Sequence, residues 1–313
     1  MIKISIHHHI PGEERQFMQL IRIATGQNVE IVPTDSKGID IAFCGPYHGG
    51  VGDYRNSRLR RIIRGGISKV GPGRHLLINS IAGGIQPLKN ARRNVWYTGE
   101  NERPPFGTWD AYFSFEIDPM AGKNIYWPGA WGVTNLLFPE VQNTPWNSKI
   151  LDIDYATKPR GLYKRKKKKF ACAFVGKAYP FRLQLLKMIS ELGNIDIYGE
   201  ASRRKVSSKY EISRDYKFMI CPENDLYPGY VTEKPIEAYI SETIPIYSGL
   251  DSARMLNPKS VINYANHLSK ETFLGEIESH LEINKYNTMF KEPIFRKKPT
   301  IEFAVSKMQE LLS

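Results

Sequence analysis

The sequence predicts an α/β protein built from two doubly wound halves. Three observations carry that expectation. The chain has 313 residues, and at about 150 residues per domain this suggests two domains. Its first stretch alternates strand, helix and strand, as in a parallel α/β sheet. After residue 169 the same rhythm restarts more clearly.

In the first half, Ile2 to Ile6 alternates with period two. Residues 13–24 place Phe17, Leu20, Ile21 and Ala24 at helical spacing. Val29 to Val32 and Ile39 to Cys44 are short apolar runs ending near proline or glycine. Leu76 to Ile78, Val95 to Tyr97 and Ala111 to Ile117 read as further strands. Residues 140–169, just after Pro139, hold Pro145 and Pro159 and then the basic run Lys164 to Lys169, and are expected to form a surface linker. Beyond it, Phe170 to Val175 is a buried-strand candidate, and residues 181–192 form an amphipathic helix ended by Gly193. Ile195 to Tyr198, Phe218 to Cys221 and Ile244 to Tyr247 are strands, Thr232 to Ile240 is a short helix, and residues 300–312 a last one. Sheets of this kind bind ligands at the carboxyl ends of their strands.

Composition narrows the function. The net charge of +12 calls for an anionic partner: nucleic acid, a phosphorylated ligand or an acidic membrane surface. Cys44, Cys172 and Cys221 lie far apart with no CxxC pair, which argues against a cysteine zinc site and a secreted disulfide framework, and fits a reducing, cytoplasmic compartment. No run of about 18 apolar residues is present for a membrane span. There is no GxxxxGK[ST] loop and no GxGxxG after a strand. His7, His8 and His9 alternate faces at a strand end and cannot all meet one ion. Asp152 and Asp154 match a metal-holding DxD pattern but fall in the expected linker, as a solvated turn would. The run Lys164 to Lys169 lacks the interleaved aromatics that stack on single-stranded nucleic acid. It is either a solvated linker or a segment drawn to an anionic leaflet, with Arg58, Arg60, Arg61 and Arg64 as a second basic cluster.

The most informative stretch is residues 216–249. A strand ends in a polar loop with Glu223-Asn224, and Gly229-Tyr230-Val231-Thr232-Glu233-Lys234-Pro235 leads into a helix. Thr232 suits an N-cap, and a helix start carrying Lys234 suits a phosphate. The wording of this stretch resembles the α-1,3-fucosyltransferase signature of glycosyltransferase family 10, the family that includes the bacterial Lewis-antigen enzymes. The likeness runs on through Asn257-Pro258-Lys259-Ser260-Val261-Ile262-Asn263. Val95 to Glu102 resembles the family's acceptor-side segment, and Ile195 to Gly199 its second donor-domain strand.

The resemblance implies a GT-B fold, two Rossmann-like doubly wound domains facing a central cleft. Residues 1–158 would bind the acceptor, residues 159–298 the GDP-sugar, and the helix in 299–313 would pack back on the N-terminal domain. It implies inverting transfer of L-fucose from GDP-fucose to the 3-hydroxyl of a GlcNAc-type residue in a surface glycan, with the acceptor an oligosaccharide or lipid-linked glycan. Glu100 falls where the family carries its base, with Glu102 as fallback. Arg182, Asn224, Tyr230, Glu233 and Lys234 fall on donor-binding positions, where fixed cations replace a metal ion. No metal, further cofactor or nucleic acid is expected, and the chain is expected in the cytoplasm, peripheral on the inner membrane. The family's C-terminal heptad repeats are missing. Pro222, Gly176-Lys177 and Ser241-Glu242-Thr243 depart from the family pattern, which leaves a different GDP-sugar as the alternative donor. From other classes, a basic nucleic-acid-binding protein and a glycan-binding module without catalysis also stand as alternatives.

Overall fold

A computed structural model describes residues 1–9, 13–46, 86–99, 109–117, 122–140, 149–161 and 167–313. The expected strand Leu76 to Ile78, the arginine cluster at 58–64, Glu100, Glu102 and the first half of the basic run lie outside the described residues. The chain divides into two compact units, Met1–Trp127 with Ile301–Ser313, and Pro128–Thr300.

The first unit holds strands β1 (Ile2–His7), β2 (Val29–Ile31), β3 (Ile39–Cys44), β4 (Ala91–Tyr97), β5 (Ala111–Ser114) and β6 (Asn124–Tyr126). They pair in the order β2-β1-β3-β4-β5-β6, all parallel. Ile4, Ile41, Ala42 and Phe43 are fully buried, so β1 and β3 are covered on both faces, as parallel sheets require. Helix Glu14–Thr25 turns Phe17, Leu20, Ile21 and Ala24 inward, and the Phe17 ring stacks on Phe43 at 4.3 Å. Helix Glu302–Leu312 lies against it, with the Gln309 amide donating to the Ala24 carbonyl at 2.9 Å.

The second unit holds β7 (Lys169–Phe174), β8 (Ile195–Tyr198), β9 (Tyr216–Pro222), β10 (Ile244–Ser248) and β11 (Ile262–Asn263). Their order is β11-β10-β9-β7-β8, again all parallel. Read from the other edge this is the 2-1-3-4-5 order of a doubly wound sheet, with its switch point between β7 and β9. Alternate residues feed opposite cores. Ala171, Ala173, Phe218, Ile220, Ile244 and Ile246 pack against helices Pro180–Ile189, Lys270–Ser279 and Ile283–Lys291. Cys172, Met219, Cys221 and Tyr247 face Ile236 and Tyr239 of helix Lys234–Ile240. All three cysteines are buried and free, and burial pushes the Cys172 thiol up to about 12.

Several sequence expectations are corrected. The boundary expected at 158/159 lies at 127/128, because residues 128–158 pack into the second unit. Ala130, Val133, Leu151, Ile153 and Ala156 all join its core, so the expected linker carries apolar anchors between its prolines. The expected solvated turn at Asp152 and Asp154 is a helix start: the Asp152 carboxylate caps helix Ile153–Ala156 by accepting from the Asp154 and Tyr155 amides, and Asp154 pairs with Lys298 at 2.5 Å. The basic run is not simply a solvated segment. Lys167 turns inward, donating to the carbonyls of Arg214 and Glu242 at 2.9 and 2.6 Å, and Lys169 pairs with Asp196 at 2.9 Å. Gly193 does not cap the helix expected to reach residue 192, which ends at Ile189. Gly193 is instead needed for a close approach: a Cβ there would sit 2.7 Å from the Phe170 ring.

Candidate active site

The polar groups of the second unit gather at the β7/β9 switch point. Beyond the carboxyl end of β7, Tyr179 precedes helix Pro180–Ile189, whose start is fixed by Pro180 in its first turn. That places Arg182 one turn in, only 4% exposed, with its guanidinium over the end of β9. Arg182 donates to the carbonyls of Glu223 and Lys177 at 3.1 and 3.2 Å and to the side-chain oxygen of Asn224. The Tyr179 ring lies 5.3 Å from it. None of these partners carries a negative charge, so the guanidinium keeps its own.

Glu223, which follows β9, is the hub. Its backbone N–H donates to the Ser248 carbonyl at 3.0 Å, prolonging the β9–β10 pairing. Its side chain is fully buried and accepts four hydrogen bonds. One oxygen takes the Thr232 N–H at 2.8 Å and the Tyr247 hydroxyl at 3.0 Å; the other takes the Thr232 hydroxyl at 2.7 Å and the Lys234 ammonium at 3.0 Å. A buried carboxylate needs this many donors to offset its lost hydration. The arrangement also corrects the expected cap: the Thr232 hydroxyl donates to Glu223 and its oxygen accepts from the Lys234 ammonium at 2.8 Å, so the helix begins at Lys234 with no side-chain cap.

Lys234 is held between carboxylates, 3.0 Å from Glu223 and 3.9 Å from Glu233. Burial opposes its charge, but Glu223 and then Glu233 overcome this and raise its pKa above the ordinary lysine value. Glu233 is the more open of the two acids, about one-third exposed. Burial disfavours its ionised form, yet Lys234 and Lys209 draw its pKa below the usual carboxylate range. The Tyr230 ring is buried, with its hydroxyl 3.5 Å from the Asn224 amide. Arg182, Asn224, Tyr230, Glu233 and Lys234 are thus brought together around Glu223, while Glu100 lies outside the described residues. Sequence reasoning quoted Glu223 but gave it no role; the available signal was an acid directly after the apolar run Phe218 to Pro222.

The first sheet has its switch point where β1 and β3 end. His7 to His9 stand there, and burial, helped by His8 and His9, pushes the His7 imidazole down to about 4. His9 lies 3.6 Å from Glu14, and the Tyr97 hydroxyl donates to Glu13 at 2.8 Å. Among the described residues no three of His, Cys, Asp and Glu are grouped to hold a metal.

Two parallel doubly wound sheets in separate units, one with cations converging at its switch point, define a GT-B glycosyltransferase fold. A solved α1,3-fucosyltransferase with GDP-fucose shares that fold at a TM-score of 0.68 and 20% identity, over 100% of this chain and 90% of that one. The same protein type with GDP aligns at a TM-score of 0.66, over 99% of this chain and 90% of that one. Residues 164–292 match the family described as glycosyltransferase family 10 (fucosyltransferase), C-terminal part. It is 30% identical over 231 residues to an α-(1,3)-fucosyltransferase of Helicobacter pylori, 66% of this chain and 48% of that one. The chain therefore spans about half the length of that relative.

Proposed function

We propose that the protein transfers L-fucose from GDP-fucose to a hydroxyl of a glycan acceptor, with inversion at the anomeric carbon. The observation that carries this reading is the convergence of Arg182 and Lys234 on the Glu223–Asn224 loop at the β7/β9 switch point. Arg182 is held only by neutral acceptors, and its charge is available to a diphosphate. Lys234 is kept protonated by Glu223 and Glu233 and supplies the second cation. Glu233, partly open, accepts hydroxyls of the fucose or the ribose, and Tyr230 with Asn224 completes the wall.

In the proposed reaction the acceptor hydroxyl gives its proton to the Glu100 carboxylate as its oxygen bonds to the fucose anomeric carbon. The bond from that carbon to the diphosphate breaks, and GDP leaves with the electron pair. The transition state resembles an oxocarbenium ion, as in glycoside hydrolysis. Arg182 and Lys234 meet the charge that grows on the departing diphosphate, the electrostatic assistance that fixed cations provide. The acceptor is proposed as the 3-hydroxyl of a GlcNAc-type residue on an oligosaccharide or lipid-linked glycan. The protein is proposed to work in the cytoplasm, held to an anionic membrane surface by its excess of basic residues. No helix among the described residues is long and apolar enough to cross a membrane.

The test is a transfer assay with GDP-fucose and GDP-mannose against N-acetyllactosamine. Fucose transfer with release of GDP is expected. Turnover of GDP-mannose alone would replace the donor, and no turnover of either would overturn the reading.

A further inference from the structure

The second unit carries a cavity that the proposed reaction does not use. It lies beyond the carboxyl ends of β10 and β11, has a volume of about 280 Å³, and is lined by Asp251, Ser252, Arg254, Asn263, Asn266 and Arg296 among others. Arg182 and Lys234 are not part of its wall.

Its two arginines are placed by the backbone. Leu256 and Phe295 form an antiparallel bridge, and the Arg296 N–H donates to the Met255 carbonyl at 3.1 Å. The bridge therefore holds the segments bearing Arg254 and Arg296 side by side. Arg254 sits at φ +53°, a left-handed conformation that non-glycine residues rarely adopt. Both side chains are exposed, and neither guanidinium has a hydrogen-bond or ion-pair partner among the described residues. Three other arginines of this unit are engaged: Arg160 between the Tyr239 and Phe290 rings, Arg204 with Asp196, and Arg214 with Glu242.

Asp251, the acid in the wall, makes no ion pair with either arginine, although its carboxylate feels the Arg296 charge. One Asp251 oxygen takes the Met255 N–H at 3.0 Å and the other the Leu256 N–H at 2.7 Å, which fixes the carboxylate on the loop. Two guanidinium forks beside the free side chains of Ser252 and Asn266 offer more donors than the two oxygens of a carboxylate can use. A phosphoryl group, with three or more oxygens and up to two charges, matches them.

We propose that this cavity is a second anion site, binding a phosphate or diphosphate group through Arg254 and Arg296. The group is carried by a soluble phosphorylated molecule or by a lipid headgroup, and one pair of experiments separates the sources. Inorganic pyrophosphate is titrated calorimetrically into Arg182→Ala protein, in which one of the two cations of the β7/β9 site is removed. Adding Arg254→Ala and Arg296→Ala should weaken the remaining binding at least 10-fold, with the melting temperature unchanged because both side chains are exposed. Equal affinity with and without the two arginines would overturn the proposal. Arg254→Lys with Arg296→Lys keeps the charge but loses the forks, so affinity should fall here too; full retention would also overturn it.

The second arm sediments the otherwise unaltered protein with phosphatidylglycerol or phosphatidylcholine vesicles. A loss of phosphatidylglycerol binding in the Arg254→Ala, Arg296→Ala protein, alongside lost pyrophosphate binding, assigns a lipid headgroup. Unchanged vesicle binding with lost pyrophosphate binding assigns a soluble phosphate. Lost vesicle binding with intact pyrophosphate binding would mean diffuse surface charge and no site.

Discussion

Replacing Glu223 by glutamine keeps the shape of the side chain and removes its charge. Each Glu223 oxygen serves two donors, so the new amide group leaves two of the four without an acceptor. An unsatisfied buried donor costs about 1–3 kcal/mol. Removing one partner of a buried ion pair costs about 3–5 kcal/mol. Lys234 keeps one-fifth of its surface exposed and a hydrogen bond to the Thr232 hydroxyl, which places this change at the lower end, about 3 kcal/mol. For a unit of this size that corresponds to a melting-temperature decrease of about 6–12 °C. Thermal unfolding followed by circular dichroism measures it. Because Lys234 loses the carboxylate that holds it, GDP affinity should also fall about 10-fold in a calorimetric titration. A melting temperature within about 2 °C of the parent, with unchanged GDP affinity, would refute the view that Glu223 organises the site.

Three further changes test separate parts of the structure. Glu100→Gln should retain GDP binding while transfer falls by about 100-fold or more, the size of a general-base effect; near-normal turnover would move the base to Glu102 or elsewhere. Gly193→Ala forces a methyl group to within 2.7 Å of the Phe170 ring and should cost about 1–3 kcal/mol in chemical denaturation, with Phe170→Leu restoring most of it. Lys167 tests the inward turn of the basic run. Burial lowers its pKa from 10.5 to about 7 in the folded protein. The unfolded chain therefore binds more protons between those values, and this group's contribution to stability rises with pH across that window. Lys167→Met should flatten the pH profile of unfolding free energy from about pH 7 to 10, and parallel profiles would remove Lys167 from the account.

What could be read in the sequence follows from what sets each feature. Strands β7, β9 and β10 are buried on both faces and appear as apolar runs, which need no knowledge of the fold. Helices Lys270–Ser279 and Ile283–Lys291 were not anticipated, although the first has a capping box at Ser269 and buries Phe273 and Ile277 one turn apart. Their charged faces hide a narrow apolar stripe. Lys234 carried a local mark, a helix start suited to a phosphate, whereas Arg182 was found through family resemblance; an arginine in the first turn of a helix carries no local mark of the carbonyls it will meet. Glu223 was quoted without a role because its importance arises from four donors that the fold brings in, two of them from Thr232, nine positions away. The start of helix Lys234–Ile240 slipped for the same reason, since the Thr232 oxygen takes the Lys234 ammonium and its hydroxyl donates to Glu223 in place of capping.

The helix Glu302–Leu312 that lies against helix Glu14–Thr25 makes the first unit discontinuous in the chain. The second unit, Pro128–Thr300, is one uninterrupted stretch. On a ribosome its sheet can close before the last helix has been made. Helix Glu14–Thr25 must therefore wait through the synthesis of the whole intervening unit, roughly 10–30 s at ordinary elongation rates. For that interval the nascent chain carries an uncovered helix side. That surface is a natural landing place for a chaperone, and the synthesis of helix Glu302–Leu312 is what removes it.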